Sequence, residues 1–133
     1  MIGIDTNVVL RLLTGDDAPQ AAAVQRLLAP LDAEPESVLI NDIVLVETLW
    51  TLRRLYGFDR TGQAEVMGHL LSALTFRFED REVLSLALKM FNEASADFSD
   101  CLIAAKNTRL GCESTATFDR SMASLPGVAL LKG

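Results

Sequence analysis

The feature that most restricts how this chain can fold is an alternation. Five short β-type runs, Ile2 to Ile4, Ser37 to Ile40, Thr75 to Phe78, Ser114 to Thr117 and Val128 to Leu131, lie among segments of helical pattern. Val24, Leu27, Leu28 and Leu31 recur at i, i+3, i+4 and i+7, as do Leu84, Ala87, Leu88 and Phe91, so each segment carries one apolar stripe. Asp17 ahead of Pro19, Asp80, Gly57 and Gly111 stand where helices are expected to start and stop. Strands that alternate with helices are joined by right-handed crossovers and pair in parallel. The pattern therefore predicts an α/β fold of three layers, α/β/α, around a central parallel sheet of about five short strands. Ligands of such sheets gather outside the carboxyl ends of the strands, which directs attention to the residues there.

Composition sets the frame. With 133 residues, half of them apolar and 23% charged, the chain is expected to form a single domain over residues 1–133 and to bury a core without disulfide or metal staples. A net charge of −6 repels nucleic acid at long range, so any nucleic-acid contact has to be local. No run approaches the ~18 uncharged apolar residues of a membrane span, and the opening Met1-Ile-Gly-Ile-Asp5 lacks the pattern of a signal peptide, so the expected location is cytoplasmic, with no membrane partner. Cys101 and Cys112 have no CxxC spacing and are expected to be reduced and buried.

Several carboxylates fall at expected strand ends. Asp5 follows the first run directly, and alone it reads as a helix cap. Glu47 has Ile43, Val44, Trp50 and Thr51 as its helical neighbours, and no basic residue within that reach; a carboxylate in apolar surroundings needs a cation or keeps its proton. Asp97 and Asp100 precede and open a helical segment, where capping and the helix dipole would account for them. Asp119 follows the fourth run, with Arg120 beside it as a possible ion-pair partner. Four or five carboxylates on one rim repel one another unless a multivalent cation sits among them. Oxygen ligands without His or Cys suit a hard ion, Mg²⁺ or Mn²⁺. His69, the sole histidine, is given no role.

Ile4-Asp5-Thr6-Asn7-Val8, the mid-chain Val46-Glu47, Asp100-Cys-Leu-Ile-Ala-Ala105 and Thr117-Phe118-Asp119 together resemble the pattern of PIN-domain nucleases from end to end of the chain. A stand-alone chain of this length looks like the VapC-type toxins within that family. The resemblance implies a metal-dependent endoribonuclease whose catalytic and metal-holding quartet is Asp5, Glu47, Asp100 and Asp119. Asp97, Thr6, Asn7 and Thr117 would be auxiliary. One departure is visible: relatives often carry a further acid after the Thr-Phe-Asp motif, where this chain has Ser121 and Met122. Implied partners are an RNA substrate and a VapB-like antitoxin that inserts a basic side chain among the carboxylates and lays a helix along residues 43–56 and 61–74. A homodimer is expected as well, from the resemblance and from Leu45, Leu49, Trp50, Leu52 and Leu55 on one helix.

Arg11, Arg53, Arg54, Lys106 and Arg109 are the candidates for phosphate contacts. Two other readings fit carboxylates at a parallel sheet edge. One is a Mg²⁺-dependent phosphoryl-transfer domain of the receiver or haloacid dehalogenase-like kind, although Asn7 stands where the latter has a second Asp and Lys106 falls on a helix instead of after a strand. The other is a non-catalytic binding domain.

Overall fold

Side-chain caps fix most of the helix starts. In the computed structural model, which describes residues 1–133, Asp5 accepts from the Val8 amide to open α1 (Thr6–Thr14), and Asp17 accepts from Gln20 to open α2 (Ala18–Leu28). Asn41, Asp59 and Asp80 do the same for α3 (Asp42–Tyr56), α4 (Arg60–Ser72) and α5 (Arg81–Glu93). Each cap satisfies an N–H that has no partner inside the helix and stabilises by about 1 kcal/mol relative to alanine. Asp97 precedes α6 (Phe98–Arg109) without a hydrogen bond from its side chain to a helix amide, so the capping expected of it does not occur. Gly15 and Gly57 close α1 and α3 in the left-handed conformation that glycine adopts without a Cβ clash.

The chain forms two compact units, Met1–Glu79 and Asp80–Gly133. In the first, β1 (Ile2–Gly3), β2 (Val38–Leu39) and β3 (Phe76–Arg77) pair in parallel in that order, with Ile2 beside Val38 and Val38 beside Phe76. Val9, Ile40, Leu45, Leu52 and Met67 are buried and form its core. On α3 the residues Leu45, Leu49 and Leu52 point inward, while Ile43, Glu47, Trp50 and Leu55 are exposed. Trp50 and Leu55 therefore do not belong with those three leucines on one apolar face. Tyr56 is half-buried, and its hydroxyl donates to Asp16 Oδ2 at 2.8 Å. On α2, Val24 and Leu28 are buried but Leu27 is exposed, and Leu31 leaves the α-helix for a 3₁₀ turn, Ala29–Leu31. Pro30 has no N–H to continue the helical ladder, which ends the stripe early.

The second unit contains α5, α6, β4 (Thr115–Thr117), α7 (Arg120–Ala123) and β5 (Val128–Leu130). Phe91 of α5 meets Phe98 of α6 edge to face, with ring centroids 5.9 Å apart, and Leu84, Ala87, Cys101 and Ala105 are buried with them. Strands β4 and β5 run parallel, Thr115 beside Val128 and Thr117 beside Leu130. All five expected strands are present and all pairings are parallel. The ladders, however, form a three-stranded and a two-stranded sheet where one sheet of about five strands was expected. Sequence runs mark extended backbone but not which strand pairs with which, and strands of two or three residues form few ladder bonds. Cys101 is buried as expected, whereas Cys112 is exposed. No helix is long and apolar enough to cross a membrane.

Candidate active site

In the first unit the candidate residues meet where β1 gives way to α1. Asp5 Oδ1 accepts from the Val8 amide at 3.1 Å, so the cap sets the carboxylate's direction. Thr6, the first residue of α1, donates its hydroxyl to Glu47 Oε1 at 2.9 Å, tying the start of α1 to the middle of α3. Asn7 is exposed in the same turn. Glu47 is exposed as well, and so are its neighbours Ile43 and Trp50; the desolvation expected from apolar neighbours is absent because those neighbours lie in water.

In the second unit Asp119 repeats the plan of Asp5. One residue separates it from β4, and its Oδ1 accepts from the Ser121 amide and hydroxyl, each at 2.8 Å, and from the Met122 amide at 3.4 Å. These donors, the Ser121 hydroxyl first, hold its carboxyl below the usual range. The bonds come from Ser121 and Met122, not from the expected Arg120. Thr117 Oγ1 accepts from the Asp119 amide at 3.0 Å and fixes the turn. Asp100 is half-buried in the first turn of α6. Burial raises its pKa, and the charges of Asp119 and Asp97 raise it further. Asp97 thus acts on Asp100 through its charge.

Asp5, Glu47 and Asp119 share a property. In each, hydrogen bonds to other groups converge on a single oxygen, Oδ1, Oε1 and Oδ1 respectively. The second oxygen of each carboxylate accepts no such bond. In neither unit do three acidic, His or Cys side chains stand close enough to one another to hold an ion alone. Oxygen donors of this kind, carboxylates and hydroxyls, nevertheless suit a hard divalent cation, and in the second unit Asp100 is repelled by Asp119 and Asp97 and partly desolvated.

The basic residues divide. Arg109 pairs with Asp80 at 3.3 Å and Glu82 at 3.0 Å, and the Glu82 bond, then both charges, raise its pKa further. Arg11 Nε donates to Gln20 Oε1 at 2.7 Å. Arg54 lies over the Trp50 ring, 5.5 Å from its centroid. Arg53 is exposed on α3, Lys106 half-buried on α6, and His69 exposed on α4. Sequence reasoning missed Glu79, whose Oε2 accepts from the Asp42 amide at 2.7 Å at the start of α3; its position right after Phe78, at the end of a strand run, was the available signal.

Parallel strands joined by helices, with capped carboxylates just beyond β1 and β4, define an α/β protein of the acidic-site kind. The model of the PIN domain matches residues 2–128, and the chain belongs to that family. Membership sets aside the receiver and dehalogenase-like readings. A curated relative, the VapC ribonuclease of Aquifex aeolicus (strain VF5), is 24% identical over 122 residues, which cover 92% of this chain and 90% of that protein. Among solved structures, Mycobacterium tuberculosis VapC20, described as a toxin that cleaves the sarcin-ricin loop, is 21% identical, with a TM-score of 0.46, over 93% of this chain and 94% of its own.

Proposed function

We propose that this protein is a metal-dependent endoribonuclease that hydrolyses RNA phosphodiester bonds as the toxin of a toxin–antitoxin pair. The observation that carries the reading is the pinning of one oxygen in each of Asp5, Glu47 and Asp119, which leaves the other without a protein hydrogen bond. The ribonuclease named among its relatives supports the same reading. The family match runs through both units, so residues 1–133 are read as one domain, with Asp5, Glu47, Asp100 and Asp119 as its candidate ligands.

Bound Mg²⁺ or Mn²⁺ would supply an activated water and charge stabilisation at the phosphate. The protein's own part is positional. Asp5, Glu47, Asp100 and Asp119 would hold the ion, Thr6 orients Glu47, and Thr117 and Ser121 orient Asp119. Asn7 stands beside Thr6 as a polar companion, and Asp97 holds Asp100 in a state that favours a cation. His69, exposed on α4, is no candidate for acid–base work on a 2′-hydroxyl, so the products expected are a 5′-phosphate and a 3′-hydroxyl. In the cytoplasm a VapB-like antitoxin would insert an Arg or Lys among the carboxylates, replacing the cation's charge. A homodimer is retained as part of the reading, but Leu45, Leu49 and Leu52 belong to the core, so its face would use other apolar residues such as exposed Leu55 and Leu74.

RNA cleavage with Mg²⁺, with Mn²⁺ and with chelator tests the reading. Cleavage is expected in either ion, none in chelator, and a loss of at least about 100-fold in Asp5→Asn and in Asp100→Asn, as for removal of a group that acts in the transition state. Wild-type protein that cleaves no RNA in either ion would leave the non-catalytic binding domain standing.

A further inference from the structure

The outward face of α3 carries more than a candidate ligand. Ile43, Glu47, Trp50 and Arg54 recur at i, i+4, i+7 and i+11, which places them along one strip of the helix. Ile43 is 70% and Trp50 59% exposed, although an aromatic side chain of this size is ordinarily among the most buried. The guanidinium of Arg54 lies 5.5 Å from the Trp50 ring centroid, a cation–π arrangement in which each group holds the other in place while more than half of the tryptophan stays open. Side chains three positions apart on a helix sit about 5–6 Å from each other, so this ring borders Glu47.

Resting on the ribonuclease reading, we propose that Trp50 and Arg54 form a stacking platform for a base of single-stranded RNA beside the scissile phosphate, making them substrate-positioning residues. An exposed aromatic face accepts any base by stacking, and an arginine next to it adds a cation for the adjoining phosphate; this is how single strands are held without sequence readout. The acidic whole makes the local charge matter: with a net charge of −6, RNA needs a cation close to the point of cleavage, and Arg54 is held there. Arg109, by contrast, is occupied by Asp80 and Glu82. A second copy of this chain is the less fitting occupant. Covering this strip would take Glu47 out of water together with Arg54, and burying such charges is costly without matched partners. RNA uses the ring and the guanidinium while leaving the carboxylate wet.

Trp50 is the sole tryptophan, so its emission reports on the platform directly. The experiment titrates wild-type protein in chelator, where nothing is cut, with a six-nucleotide oligoriboadenylate and with its abasic counterpart. Quenching by the first and none by the second is the expected result. Trp50→Leu should weaken oligonucleotide binding about 5- to 100-fold, Trp50→Phe should restore most of it, and Arg54→Gln should make the salt dependence shallower by about 0.7 in log–log slope, one phosphate's worth on a single strand. In Mg²⁺ or Mn²⁺ the Trp50→Leu loss should fall on KM more than on kcat. Wild-type protein that cleaves RNA with silent tryptophan emission and an unaffected Trp50→Leu variant overturns the platform and leaves the ribonuclease reading intact. Base-dependent quenching without cleavage overturns the ribonuclease reading and keeps the platform as an RNA-binding surface. If emission instead tracks protein concentration, and Trp50→Leu turns dimers into monomers at unchanged RNA affinity, the strip is a subunit interface and the proposal is wrong.

Discussion

Asp100→Asn separates what the carboxylates do for function from what they do for stability. Burial raises the Asp100 pKa above 3.8, and the charges of Asp119 and Asp97 raise it further. The sign follows from linkage: a folded-state pKa above the unfolded one means that the ionised form is disfavoured in the fold. Its ionisation costs stability at pH values above the folded pKa, and the cost fades as pH falls through that pKa toward 3.8. Asparagine keeps the shape and removes the charge. Two unit charges a few ångströms apart repel by about 1 kcal/mol in water, and the partial exposure of Asp100 keeps its repulsion at or below that order. Against this stands the loss of a charge that favours the first turn of α6, about 0.3–1 kcal/mol. With relief of desolvation added, the net expected gain is about 0.5 kcal/mol at pH 7, or roughly 2 °C in Tm.

Thermal melts in chelator at pH 7 and pH 4 read this out: the variant is expected to be the more stable at pH 7, with the advantage shrinking at pH 4. Adding Mg²⁺ or Mn²⁺ should reverse the order. A ligand at 100 times its Kd stabilises by about 2.7 kcal/mol, and only the protein with its full ligand set gains that amount. A variant less stable than wild type in chelator at both pH values would refute the reasoning, because it would make Asp100 a structural carboxylate.

Two further outcomes test other links. Thr48 is 1% exposed and its hydroxyl has no hydrogen-bond partner, so the isosteric Thr48→Val should stabilise by about 1 kcal/mol in urea unfolding, with an unchanged m-value. Thr6→Val removes the donor at 2.9 Å from Glu47 Oε1; titration of cleavage with Mn²⁺ should show about tenfold weaker ion use, the low end for an orienting partner because the pair is exposed, while Tm moves little.

What the sequence disclosed was local. Apolar spacing and caps located α3 and α5, since Leu45, Leu49 and Leu52 share one side of a helix and Asp80 does cap the other. Helix α7 escaped notice because four residues span barely one turn and show no period. Counting Trp50 and Leu55 with the leucines as apolar surface of one helix weighs hydrophobicity alone; at 100° per residue Trp50 falls with Glu47 and Arg54. The pairing of Arg109 with Asp80 and Glu82 spans 29 and 27 positions, beyond the reach of any local pattern. The division of the strands between two ladders was equally out of reach, because pairing is decided by the whole chain.

The two readings of the carboxylates, cap and ligand, are chemically compatible. A carboxylate has two oxygens, and in Asp5 and Asp119 the cap takes only one of them. A helix start directly after a strand therefore supplies donors that aim the side chain as well as closing the helix. The same donors keep Asp119 ionised by lowering its pKa, the state in which it accepts a cation. Thr6 performs this service for Glu47 without a cap, through a hydroxyl on the first residue of α1. Asp100 alone lacks such a donor and alone has its charge resisted by burial and like neighbours. On the proposed reading, a cation held by the quartet, a divalent ion or the basic side chain of an inhibitor, would change the state of Asp100 most. Protection of Asp100 from carboxyl modification by Mg²⁺ or Mn²⁺, lost in chelator and larger than that of Asp5 or Asp119, is the expected mark of that difference.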